Sequence, residues 1–288
     1  MPQVYLYISA ALMMSWPFLF LYFFQRFRGG RFNWGLFGVG AVTFVASQIG
    51  HFPFNWLVIN ELQLIDVSNE GWGLVRLALF GGFSAGLFEE TARYLTYRFW
   101  AKDARSWRDG ILMGLGHGGI ESILLGVLLA VNTYVLFAIQ DGRFQLLVGP
   151  DEMPLIEQQI AAMVNASAPI LLLGAVERFL TIIFHLSLSL MVLRVFTDGS
   201  LKWLAAAIGW HAFGNAVIVY IAGTVENPVV AELALAVIVL FAAYLIWRWR
   251  HIGEDKSLPI AVSEPPPTAR PVIPIDVTSD RLDESRYQ

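Results

Sequence analysis

Hydrophobic residues run through this chain in seven long blocks that are separated by short polar joints. A helix that crosses the hydrocarbon core of a membrane needs about 20 mostly apolar residues. We predict such helices near residues 3–24, 33–58, 72–97, 110–137, 167–194, 202–222 and 228–249. The first block carries no Lys or Arg at its start and no small-residue cleavage site follows it, so it predicts a membrane helix rather than a secretory signal. The pattern predicts an all-α polytopic membrane helix bundle.

The joints between the blocks alternate between a basic and an acidic group. The basic joints are residues 25–32, 98–109 and 194–202, and the acidic joints are residues 59–71, 138–166 and 223–227. Arg143 is the one basic residue in the acidic group. Because short cytoplasmic loops are enriched in Lys and Arg, we predict an outside N-terminus and a cytoplasmic C-terminus. The two groups of joints define a basic end and an acidic end of the bundle.

The last part of the chain has a different composition. Residues 251–288 are polar and charged and include the proline-rich run SEPPPTARPVIPID. Such a segment has too little apolar surface to offset the entropy lost on ordering. We therefore predict a transmembrane domain over residues 1–250, with a catalytic core at about 72–222, and a disordered cytoplasmic tail over residues 251–288.

Composition agrees with a membrane protein and excludes several other classes. Hydrophobic residues make up 56% of the chain and charged residues 15%, against about 45–50% and about 25% in soluble domains. A net charge of −4 argues against nucleic acid as a partner. The absence of cysteine excludes a thiol nucleophile and a thiolate zinc site. The expected partners are the lipid bilayer of a bacterial-type cytoplasmic (inner) membrane and a peptide or membrane-protein substrate.

Ionisable residues lie at a similar depth on four of the predicted helices. Counted at about 1.5 Å per residue from the basic end, they lie roughly 11–14 Å deep. They are Glu89, Glu90, His117, His185 and His211. Because such residues are costly inside a membrane helix, they are candidates for a functional site. We expect them to share one water-filled pocket that opens to the cytoplasmic, basic end.

The spacing within each helix extends this set. Residues four apart share a helix face. Three further polar residues lie four positions after one of the five residues above: Arg93, Glu121 and Asn215. We predict that Arg93 forms a structural ion pair with one of the two glutamates and leaves the other free. The full set of candidate catalytic residues is Glu89, Glu90, His117, Glu121, His185, His211 and Asn215.

Two kinds of hydrolytic chemistry fit these residues. A glutamate beside imidazoles can activate water as a general base, while His or Asn donates to the developing oxyanion. His117, His185 and His211 also match the ligand count of a catalytic zinc, which keeps one position for water. The cofactor is therefore either none or a single zinc. The spacing of His211 and Asn215 slightly favours the version driven by glutamate.

The same residues form motifs that resemble a known family. Residues 88–94 read FEETARY, residues 116–121 read GHGGIE and residues 211–215 read HAFGN, with His185 between the last two. Together they resemble the YhfC family of membrane peptidases, which belongs to the wider group of type II CAAX prenyl endopeptidases and bacteriocin-immunity proteases. The resemblance covers roughly residues 80–220.

The resemblance implies an intramembrane endopeptidase whose site lies in the cytoplasmic half of the bilayer. In the wider group, the first Glu of an EExxxR motif acts as base with a His on the next helix, and the His and Asn of a later HxxxN bind the oxyanion. Carried over, these roles fall on Glu89, His117, His211 and Asn215. Here the Arg comes one residue early, which leaves the choice between Glu89 and Glu90 open, and Met113 replaces the aromatic residue before the first His.

Two other functions compete with hydrolysis. A non-catalytic membrane scaffold or chaperone of the same superfamily would not need an intact set of Glu, His and Asn. An ion or solute transporter can use Glu and His as a relay, but it would need polar lining on both sides of the midplane. The outer half offers only scattered polar residues such as Gln48 and His51. We interpret His51 as a structural contact and Glu177 with Arg178 as a structural ion pair.

Overall fold

The part of the chain that the structure describes consists of helices and the loops that connect them, without β-strands. A computed structural model describes residues 2–28, 33–67, 70–144, 148–149 and 151–253. The helices are α1 (Pro2–Arg28), α2 (Trp34–Trp56), α3 (Gly71–Leu95), α4 (Trp107–Gln140), α5 (Met153–Asn165), α6 (Ala168–Leu171), α7 (Leu173–Thr197), α8 (Lys202–Thr224) and α9 (Val229–Arg248). Helices α2 and α3 each continue by one π-helical turn, Leu57–Glu61 and Thr96–Trp100. The predicted tail lies outside the described residues, apart from 251–253.

Seven of these helices are long and apolar enough to cross a membrane, which confirms the predicted fold class. Within the described residues they are α1, α2, α3, α4, α7, α8 and α9. Their order along the chain matches the seven hydrophobic blocks. The chain is therefore an integral membrane protein. Which end of the bundle faces the cytoplasm stays a prediction from the charge of the joints.

The acidic joint before α7 contains structure that the block pattern did not predict. Helix α5 has 13 residues, too few to cross a bilayer. Its side chains Ile156 and Ile160 pack against Leu136 and Phe137 near the end of α4. The short α6 then precedes α7, which begins at Leu173 rather than near residue 167. A search for blocks of spanning length does not detect a helix of this size.

Helices α4 and α7 form the centre of the bundle. Helix α4 packs against α1, α2 and α7, while α7 also contacts α8 and α9. Helix α3 lies between α2 and α8. Residues 110–119 of α4 are all buried, so this stretch is enclosed on every side. The histidines of α4 and α7 are therefore held in the middle of the protein.

Glycines bring the helices that carry the site into backbone contact. A Cβ on Gly40 of α2 would lie 2.2 Å from the Met113 carbonyl oxygen, and one on Gly116 of α4 would lie 2.0 Å from the Phe37 carbonyl oxygen. Between α3 and α8, a Cβ on Gly82 would lie 2.4 Å from the Ala212 carbonyl oxygen. Small residues allow this approach between membrane helices. The short interhelical distances place the side chains next to these glycines within hydrogen-bonding reach of one another.

Candidate active site

Four of the predicted residues, Glu89, His117, His185 and His211, meet in one buried layer. Glu89 of α3, His117 of α4 and His185 of α7 are buried, and one potential ligand atom from each lies within 4.8 Å of the other two. The ring centroids of His117 and His185 are 5.1 Å apart. Those of His185 and His211 are 5.5 Å apart. The structure thus brings together residues that are far apart in the sequence.

Glu89 lies between two imidazoles. The His117 Nε2 atom lies 3.0 Å from its Oε2 atom, and the His211 Nε2 atom lies 4.0 Å from the same oxygen. Its other oxygen, Oε1, accepts a hydrogen bond of 3.3 Å from the Gln48 side chain of α2. Within the described residues, Glu89 forms no hydrogen bond with Arg93. Its carboxylate therefore faces imidazole and amide groups.

Glu90 has different surroundings, although it is the next residue along the chain. Arg93, which is fully buried, pairs with the Glu90 Oε2 atom. The Glu90 Oε1 atom lies 2.8 Å from His211 Nδ1. Because a carboxylate paired with Arg is ionised and can only accept, His211 carries its proton on Nδ1. In the neutral ring, Nε2 then carries the lone pair, on the side of Glu89.

His185 lies between a cation and a carboxylate. The Arg93 Nη2 atom lies 3.3 Å from His185 Nδ1, and the Glu121 Oε2 atom lies 2.8 Å from His185 Nε2. The Glu121 Oε1 atom accepts a 2.8 Å hydrogen bond from Arg178. Arg178 also pairs with Glu177, so the pair predicted from the sequence includes Glu121 as a third member.

A cavity of about 380 Å³ adjoins the layer. Its polar lining comes from His51, Glu89, Glu121, Glu177, Arg178, Thr181, His185, His211 and Asn215. Asn215 lies one turn beyond His211 on the same face of α8. Glu90 and His117 do not contribute to this lining, so they lie behind the residues that face the cavity.

The cavity extends from the layer towards the acidic end of the bundle. On α3, α7 and α8 the lining reaches Gly81, Glu177 and Val219, each of which is nearer to the acidic end than the layer. The expectation that the pocket opens towards the basic end is therefore wrong. At that end the space is filled, because Tyr97 is fully buried and its hydroxyl lies 2.9 Å from the Ser189 hydroxyl.

Helix α2 contributes a polar stripe that the sequence analysis treated as scattered residues. Asn55 Nδ2 lies 2.9 Å from His51 Nε2, and His51 Nδ1 lies 3.1 Å from Gln48 Oε1. Since Gln48 donates to the Glu89 carboxylate with its amide nitrogen, its oxygen accepts, and His51 must carry its proton on Nδ1. The hydrogen bonds from Asn55 to His51, from His51 to Gln48 and from Gln48 to Glu89 then all run in one direction, and the Gln48 amide also donates to the Ser47 hydroxyl. The spacing of these residues, three and then four apart, is the signal that could have revealed the stripe.

The donor set of the layer fits a catalytic metal ion. Two histidines and one glutamate are a common zinc set that leaves a fourth position for water. Here Glu89, His117 and His185 are all buried and come from three different helices. The neighbouring cavity gives water a place beside them. This group has Glu89 in the place of His211, the third histidine of the set suggested by the sequence.

We expect Gln48 to support metal binding by fixing the orientation of Glu89. Groups that hold a metal ligand by a hydrogen bond typically change metal affinity by about 10–100-fold when they are removed. Gln48→Leu should weaken zinc binding by that factor, as measured by competition with a chelator of known affinity. Gln140→Leu is the matched control, since Gln140 is exposed at the end of α4. Equal affinity in the two variants would refute this role.

Comparison with known proteins gives a result that agrees with this geometry. The model of the YhfC intramembrane metalloprotease family matches residues 12–235. The chain is 31% identical over 259 residues to the uncharacterized membrane protein YhfC of Bacillus subtilis (strain 168), covering 86% of this chain and 96% of that protein. No solved structure matches the chain. With seven membrane helices around a buried group that could hold a metal ion, this chain belongs to the YhfC intramembrane metalloprotease family.

Proposed function

We propose that this protein is a metal-dependent intramembrane endopeptidase. The observation that carries the proposal is the group of Glu89, His117 and His185, whose potential ligand atoms lie within 4.8 Å of one another beside a cavity. Such groups are costly inside a membrane protein and are kept where they act on a substrate or an ion. The substrate is a peptide bond of a polypeptide that reaches this depth of the bilayer.

Glu89, His117 and His185 would hold one zinc ion. A zinc ion in such a site lowers the pKa of a water ligand and polarises the carbonyl group of the substrate. The chain supplies the fixed surroundings. Gln48 orients Glu89, and Glu121 lies beside His185 on the side away from Arg93.

His211 is suited to transfer the proton. Its Nδ1 atom donates to Glu90, so its Nε2 atom can take a proton from water while the Glu90 carboxylate stabilises the imidazolium. The same atom can return the proton to the amine that leaves. This role replaces the donation to the oxyanion that the family resemblance suggests for His211, because the neutral ring has no proton on Nε2.

Asn215 is suited to bind the carbonyl oxygen of the substrate. It lines the cavity one turn beyond His211, and its amide can donate to a developing negative charge. Removing a donor of this kind usually lowers the rate by about 10²–10³-fold. Asn215 therefore completes the set of groups that face a substrate in the cavity.

The surroundings of the layer favour hydrolysis over transport. A transporter needs a polar path on both sides of its central site. Towards the basic end, the described residues next to the layer include buried apolar side chains such as Met113, Leu190 and Leu193. The cavity therefore supports a site that receives a substrate and releases products at one end.

The proposal can be tested without knowing the substrate. Cells that produce the wild-type protein should contain new N-termini in membrane proteins, detected by mass spectrometry of N-terminal peptides. Cells that produce the same amount of Glu89→Gln should lack them. Glu61→Gln, a change at an exposed residue after α2, is the matched control and should resemble the wild type. Identical N-termini in wild-type and Glu89→Gln cells would reject the proposal.

A further inference from the structure

We infer that water and substrate reach the layer from the acidic end of the bundle, and that this end is extracytoplasmic. The substrate would then be a membrane or exported polypeptide whose chain extends to the outer side of the membrane. This inference rests on the proposed function for the nature of the substrate. The direction of access rests on the cavity alone.

The residues that line the cavity extend from the layer towards the same end of the bundle on three helices. Its lining on α3 runs from Glu89 to Gly81, on α7 from His185 to Glu177 and on α8 from His211 to Val219. Each of these stretches ends eight residues from the layer, which corresponds to about 12 Å of helix. Helix α7 begins at Leu173, only one further turn beyond Glu177. The cavity therefore comes close to the acidic end of the bundle.

The exposure of the charged side chains increases along the same path. The Glu90 side chain behind the layer is 0% exposed. The Glu121 side chain is 19% exposed and the Glu177 side chain, nearest the acidic end, is 38% exposed. With Arg178 and Thr181 beside them, these groups offer several hydrogen-bonding partners to water. A polar route thus leads from the layer to the acidic end.

The opposite route is closed by packed side chains. Tyr97 is fully buried below the layer and its hydroxyl pairs with Ser189 of α7. Thr43 of α2 and Thr96 lie 2.9 Å apart, oxygen to oxygen. Among the described residues, every group that lines the cavity lies at the layer or nearer to the acidic end. Access from the basic end would require these contacts to open.

The charges of the joints assign the acidic end to the outer side of the membrane. Short cytoplasmic loops are rich in Lys and Arg, and these residues are concentrated at the basic end. A peptide that enters the cavity therefore comes from outside. This differs from the cytoplasmic access expected from the sequence, and it argues against a soluble cytoplasmic peptide as the substrate.

The lack of cysteine makes the direction of access directly measurable. The chain has no Cys, so a single introduced thiol reports its own exposure to water. Thr181→Cys lies in the cavity, and Ser189→Cys is the matched control, two turns nearer to the basic end of α7 and fully buried. Ile218→Cys provides a second cavity position on α8. Asp141→Cys and Lys102→Cys mark the acidic and basic ends.

The thiols are exposed to a small membrane-impermeant methanethiosulfonate reagent, added to intact cells or to inverted membrane vesicles. The protein is then denatured, and the thiols that were not modified are quantified with a maleimide. We expect Thr181→Cys and Ile218→Cys to react in intact cells together with Asp141→Cys, and Ser189→Cys to react from neither side. Cavity thiols that react only together with Lys102→Cys, or not at all, would overturn the direction of access. Reaction of Asp141→Cys only in inverted vesicles would overturn the extracytoplasmic assignment.

This test is independent of catalysis. The same labelling is expected in a Glu89→Gln background, because modification of a thiol requires only water and reagent. A protein that labels as expected but produces no new N-termini would refute the proposed endopeptidase and leave the direction of access intact. The two proposals can therefore fail separately.

Discussion

Replacing Glu89 by Gln is expected to lower the rate of peptide hydrolysis by about 10³-fold or more, the size of effect seen when one member of a catalytic unit is lost. Glutamine has nearly the same shape, but it lacks the negative charge that a metal ion requires. The fold should persist, because Glu89 takes no part in the buried ion pair of Arg93. Cleavage rate and thermal unfolding of the purified protein measure the two effects separately.

Glu90→Gln is the matched control for this change. Glu90 is the partner of Arg93 and of His211, so its replacement should lower the thermal stability as well as the rate. The two neighbouring glutamates thus have different signatures. An active Glu89→Gln variant, beside a stable and inactive Glu90→Gln variant, would show that the roles of the two residues are reversed.

Replacing Arg93 by Ala is expected to reduce the free energy of unfolding by about 3–5 kcal/mol, the usual cost of removing one partner of a buried ion pair. Both side chains of this pair are 0% exposed, so the Glu90 charge would remain buried without its cation. Chemical unfolding of the purified protein in detergent measures this change.

Arg143→Ala provides the control for the loss of an arginine. Arg143 pairs with Asp141, but these side chains are 54% and 65% exposed, and exposed pairs contribute little to stability. The double variant with Arg93→Met and Glu90→Met should be more stable than Arg93→Ala, because no isolated charge remains. An equal, small loss of stability in Arg93→Ala and Arg143→Ala would contradict the role of the buried pair.

The membrane fold could be predicted because a hydrophobic block of spanning length has few alternatives. In lipid, the backbone must satisfy its own hydrogen bonds, so each block becomes a helix. The pattern was less informative in the joints. Helix α5 is short and mostly exposed, and its packing on α4 depends on tertiary contacts that the block pattern does not encode.

The candidate site could be predicted only in part. Counting depth from the basic end placed Glu89, His117, His185 and His211 in one layer, and the structure brings these four residues together. The choice between Glu89 and Glu90 as partner of Arg93 depends on helix rotation and side-chain rotamers, which sequence spacing does not determine. The prediction that the cavity opens towards the basic end was wrong, because the direction of the cavity depends on how side chains fill the space near Tyr97.

The contribution of α2 was missed for a different reason. Gln48 and His51 were interpreted as scattered residues, because their spacing does not show the packing of α2 against α3 and α4. Gly40 and Gly116 bring the backbones of α2 and α4 together, and α2 also packs against α3, so Gln48 of α2 comes within reach of Glu89 of α3. Backbone contacts of this kind have a weak sequence signal, since glycine has many other uses in helices.

The metal content of the purified protein tests the central claim most directly. Elemental analysis should find one zinc ion per wild-type chain, and His185→Ala should lose it together with peptidase activity. Asn215→Ala should keep the metal and lower only the rate of peptide cleavage, since Asn215 lines the substrate cavity and is not one of the metal-binding residues. A wild-type protein that contains no metal and cleaves its substrate in the presence of a strong chelator would contradict the metal-dependent mechanism.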